Sequence, residues 1–152
     1  MQKLKKFLER NKIIGIDTMI FVYLFEDNRK YANLSEFIFE RIEKGFNTGV
    51  VSNLSLFEIL AGVYKSSLKK TSRDYIRFFL ETPNLKIIPP NIAILDIAAQ
   101  MRAEYNTKSI DTICYITSVI YGANAFITND IDLLKIKKPP INILYFNDFL
   151  KI

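Results

Sequence analysis

Short apolar runs, each closed by a turn former or a polar residue and each separated from the next by a longer amphipathic stretch, constrain this chain more than any other feature. Ile13, Ile14 and Ile16 form the first, ending at Asp17; residues 48–52 (TGVVS) form the second, just after Gly45. Residues 85–88 form the third, closed by Pro89 and Pro90; residues 125–128 the fourth, after Gly122; residues 142–146 the fifth, after Pro139 and Pro140. Runs this short and this apolar suit strands covered on both faces, the condition of a parallel sheet.

The stretches between them have helical period. Leu34, Phe37, Ile38 and Ile42 recur at i, i+3, i+4 and i+8 with acidic and basic residues interleaved, and Gly45 ends the pattern. Residues 56–63, 74–80, 92–105 and 110–121 also read as helices, the last apolar almost all round and therefore central. Strands alternating with helices require crossover connections, which are right-handed, and lead to a three-layer α/β/α sandwich with a central, mainly parallel sheet. In such a fold ligands lie outside the carboxyl ends of the strands.

The chain has 152 residues, 49% of them hydrophobic, with no repeat, low-complexity tract or Gly/Ser/Pro-rich linker, so one domain spanning 1–152 is expected. A single cysteine, Cys114, cannot form an internal bridge, and its place in the apolar helix marks it as a small core residue. The absence of histidine removes Ser-His-Asp triads and the usual zinc frameworks, leaving carboxylates, hydroxyls and amines for any chemistry. No apolar run approaches the ~20 residues of a membrane span, and the N-terminal segment lacks a signal-peptide core; a cytoplasmic location is expected. Lys and Arg total 21 against 16 Asp and Glu, which mildly favours an anionic partner.

Five carboxylates fall where the fold would place a ligand. Asp17 follows the first strand, Glu58 lies early in the helix after the second, Asp111 opens the apolar helix, and Asp130 and Asp132 follow the fourth strand. Each alone has a structural explanation: Asp17 and Asp130 as helix N-caps, Asp111 as a dipole partner behind an N-cap Ser109, and Ser55 with Glu58 as a capping box. Together they present a different problem, since two carboxylates ~4 Å apart repel by several kcal/mol at intermediate dielectric. Capping does not require convergence, whereas a Mg²⁺ or Mn²⁺ ion, which takes hard oxygen ligands, does.

These residues also carry a family resemblance. The segments IGIDT (14–18), FEILAG (57–62), SIDTICYITSVIYGA (109–123) and ITNDIDL (127–133) follow in the order and approximate spacing of a PIN domain, the nuclease fold of many bacterial and archaeal toxin ribonucleases of the virulence-associated protein C type. The resemblance spans almost the whole chain. It implies Mg²⁺ or Mn²⁺ dependence and endonucleolytic RNA cleavage, with Asp17, Glu58, Asp111 and Asp130 as the acidic quartet, Asp132 as an auxiliary ligand, and Thr18 and Thr128 as nearby hydroxyls. Asp17 and Asp111 would bind metal directly, Glu58 would bind it or orient water, and Asp130 would serve a second ion or a water-mediated contact. Products would carry a 3′-hydroxyl and a 5′-phosphate. A cognate antitoxin and a second copy of the chain are the protein partners it implies. Two positions depart from the family pattern: Met19 stands where a small polar residue is frequent, and Thr112 where alanine is usual.

An acidic pocket repels RNA, so cations must flank it. Lys65, Lys69, Lys70, Arg73, Arg77 and Lys108 are the backbone-contact candidates, with Lys135, Lys137 and Lys138 as a second cluster; solvated helix faces are the structural alternative. Tyr64 and Tyr75 are candidates for base stacking or for packing. The competing functional readings are a PIN-fold RNA-binding or assembly module without catalysis, and a phospho-acceptor receiver domain, which would want adjacent acids after the first strand where this chain has only Asp17.

Overall fold

The computed structural model describes residues 1–65 and 70–150. Its five strands, β1 (Ile13–Ile16), β2 (Thr48–Ser52), β3 (Leu85–Ile88), β4 (Ala125–Thr128) and β5 (Asn142–Tyr145), form one sheet in the order β3-β2-β1-β4-β5. All four pairings are parallel. From β1 the chain steps outward to β2 and β3, then crosses to β4 on the other side of β1. The strand order therefore reverses between β1 and β4, and their carboxyl ends border the crevice where doubly wound sheets bind ligands.

Alternation along the strands divides the interior in two. Ile14 and Ile16 of β1, Val51 of β2 and Ile127 of β4 enter one core with α1 (Gln2–Arg10), α2 (Thr18–Phe25), α3 (Ala32–Glu43) and α5 (Ser72–Glu81). Phe126 enters the other with α6 (Ile92–Tyr105) and α7 (Ser109–Ile120). The remaining helix, α4 (Asn53–Tyr64), sends Ile59 into the first core and packs against α2, α5 and α7. The expected α/β/α layering is what the structure has.

Two glycines show how the sequence permits this packing. A Cβ on Gly15 would lie 2.3 Å from Ser118 Oγ, so the bare backbone at this position lets the central helix α7 settle on β1. Gly45 has φ +75° and closes α3 with the paired bonds of a Schellman stop, from its own N–H to Ile42 and from Phe46 N–H to Arg41.

The strand boundaries match the expected ones except that β5 ends at Tyr145, one residue early. Two helices were not anticipated. In α1 the charged residues face outward while Leu4 and Leu8, one turn apart, are completely buried. In α2 the run TMIFVYLF has almost no polar periodicity, so its pattern alone does not distinguish helix from strand; the Asp17 cap starts it as a helix, with Thr18, Ile20 and Phe21 buried. Among the described residues no helix is long and apolar enough to cross a membrane.

Candidate active site

Asp17, Glu58, Asp111 and Asp130, carried by four different elements, line a single cleft of about 710 Å³ at the β1/β4 edge, together with Thr18, Lys108, Tyr23 and Asn129. Met19, Val22, Ile59, Gly62 and Ile131 form the rest of its wall.

Asp17 sits at the junction of β1 and α2 and is only 2% exposed. It is both a helix cap and a cleft residue: Oδ1 accepts the Thr18 N–H at 2.8 Å, and Oδ2 accepts the Thr128 hydroxyl at 2.5 Å. Burial pushes its carboxyl up to about 6 despite those two hydrogen bonds, and the charges of Glu58 and Asp130 push the same way. Thr128 also accepts the Asp130 N–H at 2.8 Å, so one hydroxyl ties the end of β1 to the loop after β4.

Glu58 is half-buried on α4 and accepts the Thr18 hydroxyl at 2.7 Å. The capping-box reading of Ser55 and Glu58 is corrected here. The helix begins three residues earlier than expected, capped by Ser52, and Ser55 is buried against Cys114 Sγ at 3.5 Å. A true capping box lies elsewhere, between Thr71 and Asp74.

Asp111 is in the first turn of α7, but the N-cap is Lys108 and not Ser109. Burial raises the Asp111 carboxyl, and a hydrogen bond with Asp130 and the charges of Asp17, Asp130 and Glu58 raise it further. Asp130 moves the other way: burial is outweighed by the hydrogen bonds from Asp111, the Asp132 N–H and Lys108. The two opposite shifts share a cause, the hydrogen bond between the two carboxyls. Asp130 caps no helix; its Oδ1 accepts the Asp132 N–H at 2.9 Å in a local turn. Asp132 stands outside the cleft lining, with Oδ1 2.5 Å from Lys135 Nζ.

Of the cationic candidates among the described residues only Lys108 lines the cleft. Its Nζ lies 3.0 Å from Asp130, 3.8 Å from Asp111 and 4.0 Å from Asp132. Lys65 and Arg73 are exposed, whereas Lys70 and Arg77 line a separate pocket beside Glu43, Asp74 and Glu81. Lys69 lies outside the described residues. Tyr64 is 75% exposed, but Tyr75 is completely buried and donates its hydroxyl to Glu26, so it cannot stack on a base. Burial pushes the Cys114 thiol up to about 12, consistent with an inert core position.

Two polar cleft residues escaped the sequence reading. Asn129 donates to the Tyr23 hydroxyl at 3.0 Å and accepts the Asn147 N–H at 2.9 Å, bracing the loop that carries Asp130. Met19, Val22 and Tyr23 all line the cleft, a spacing of i, i+3 and i+4 that would have marked one face of a helix had α2 been recognised.

Among the described residues, no three acidic or cysteine side chains stand at metal-ligand geometry. Asp17 and Glu58 are held by threonine hydroxyls, and Asp111 and Asp130 by each other and by Lys108. The donor chemistry nevertheless suits a hard cation: four carboxylates share the cleft, two of them with raised pKa, and among the described residues one lysine is the only positive charge lining it.

A search of the curated proteins gives no match. Solved structures give clear ones. VapBC2 from Rickettsia felis, bound to a DNA fragment from its promoter, matches with TM-score 0.63 and 23% identity over 87% of this chain and 97% of that chain. A toxin-antitoxin complex from Klebsiella pneumoniae matches with TM-score 0.60 and 21% identity over 87% and 95%. At these identities the likeness speaks for the fold. The PIN domain model matches residues 14–139, a span that holds all five strand-end carboxylates, and this chain belongs to the PIN domain family.

Proposed function

We propose that this protein is a divalent-metal-dependent endoribonuclease and the toxin of a toxin-antitoxin pair. The observation that carries the reading is the meeting of Asp17, Glu58, Asp111 and Asp130 in one cleft at the point where the strand order reverses. Family membership supports a nuclease, and the two matched structures, both toxin-antitoxin complexes, support an antitoxin partner.

Asp17 and Asp111 would hold Mg²⁺ or Mn²⁺ directly, with Glu58 and Asp130 completing or orienting the set. A bound ion supplies acidification of water and neutralisation of charge on the phosphoryl oxygens. The chain's own residues do the rest. Thr128 and the Thr18 N–H fix the Asp17 carboxylate, the Thr18 hydroxyl fixes Glu58, and the Asn129 brace holds the Asp130 loop at the cleft. Lys108, at the cleft mouth, is the cation best placed to meet a substrate phosphate.

The test is cleavage of labelled single-stranded RNA by the purified protein. Cleavage is expected with Mg²⁺ or Mn²⁺, lost in excess EDTA and restored by added Mn²⁺, leaving 5′-phosphate and 3′-hydroxyl ends. Undiminished cleavage in EDTA, or cyclic 2′,3′-phosphate ends, would overturn the mechanism. RNA binding without cleavage at any metal concentration would favour a non-catalytic PIN module.

A further inference from the structure

We infer that Lys108 is a tethered counter-ion of the metal-free site, which a divalent cation must displace in order to bind. The inference rests on the metal-site reading above and concerns how that site is kept intact when the ion is absent.

The placement of Lys108 needs explaining. It is the N-cap of α7, where the partial positive charge of the helix end disfavours a cation, and its side chain makes no capping bond there. Instead the ammonium reaches across to the loop after β4, donating to Asp130 at 3.0 Å and lying within 4.0 Å of Asp111 and Asp132 as well. Three carboxylates from two elements therefore converge on one ammonium. Lys135 makes its own ion pair with Asp132, through the oxygen that does not face Lys108.

The arm is also built to leave. The Lys108 side chain is 64% exposed, and a lysine stem is long and rotatable, so withdrawal exposes no core and breaks no backbone bond. Asp111, in the first turn of α7, and Asp130, whose backbone N–H is bonded to the Thr128 hydroxyl, are fixed by contrast and do not follow it. A divalent ion entering among these carboxylates meets the ammonium at close range, where like charges repel strongly. Its apparent affinity is then lowered by the work of detaching Lys108.

The test uses the full protein, freed of metal, at low ionic strength. Mn²⁺ affinity is measured by titration calorimetry for the parent, Lys108→Gln and Lys108→Met, with Lys108→Arg as the charge-retaining control. Both neutral variants are expected to bind Mn²⁺ at least ~10-fold more tightly than the parent, and the arginine variant within about threefold of it. Their metal-free melting temperatures should fall by a few degrees, a deficit that saturating Mn²⁺ removes. Equal or weaker Mn²⁺ binding by both neutral variants, with the parent binding normally, would overturn the counter-ion role and leave the metal site standing. If neither parent nor variants bind Mn²⁺, the metal site falls and this inference with it.

Discussion

At the scale of single residues, the site is an arrangement of charge that the fold tolerates at a cost. Asp17 is buried with only two hydrogen bonds to its carboxylate, and its pKa of about 6 stands above the ordinary 3.8. Between those pH values the folded protein holds a proton that the unfolded chain releases. Stability from this group is therefore present below pH ~4 and is lost as pH rises through ~6. Asp17→Asn removes the penalty while its amide can still satisfy Thr18 and Thr128. In the metal-free protein it should raise stability by about 1–3 kcal/mol above pH 7, with the gain vanishing near pH 4, as read by denaturant unfolding at the two pH values. A loss of about 1 kcal/mol at both would mean that Asp17 is a cap and nothing more. That Asp17, Glu58, Asp111 and Asp130 could meet was legible from their places beside the strand ends and from the family resemblance, and the four do line one cleft. The hydroxyl and amide supports were only half legible: Thr18 and Thr128 flank acids in sequence, while Asn129 acts through Tyr23, 106 residues away, and no local pattern records that bond.

At the scale of elements, the strands were easier to read than the helix starts. Four of five strands have the bounds that their apolar runs suggest: β1 stops at Asp17 and β3 at Pro89, while asparagines precede β3 and stand on both sides of β2 and β4, residue types that favour turns over strand. Helix starts depend on which of several polar residues captures the first N–H groups. Ser52 captures α4 and leaves Ser55 to the core; Lys108 opens α7 although Ser109 is the better capping type. The close seating of α7 on β1 is the element-level contact on which Asp111 depends, and Gly15 is its enabling residue. Gly15→Ala would drive a methyl into Ser118 and Phe126 and should destabilise the protein by about 1–3 kcal/mol, measured by denaturant unfolding. Stability equal to the parent would show that α7 has room to retreat.

At the scale of the whole molecule, the order β3-β2-β1-β4-β5 brings Asp17 and the Asp130 loop side by side, and α4 and α7 deliver Glu58 and Asp111 to the same cleft. The net charge of +5 does not concentrate there: among the described residues Lys108 alone lines the cleft, and Lys70 and Arg77 line another pocket. The central claim is that the four acids act as one cation-holding unit that cleaves RNA. Its most direct measurement is the single-turnover rate of RNA cleavage in saturating Mn²⁺ for the parent, Glu58→Gln, Asp111→Asn and the double variant, whose changes lie on α4 and α7. If the acids form one unit, each single change lowers the rate by at least ~10-fold and the double variant falls far less than the product of the two losses, as groups acting together are non-additive. Parent-like rates in either single variant, or losses that simply multiply, would contradict the account.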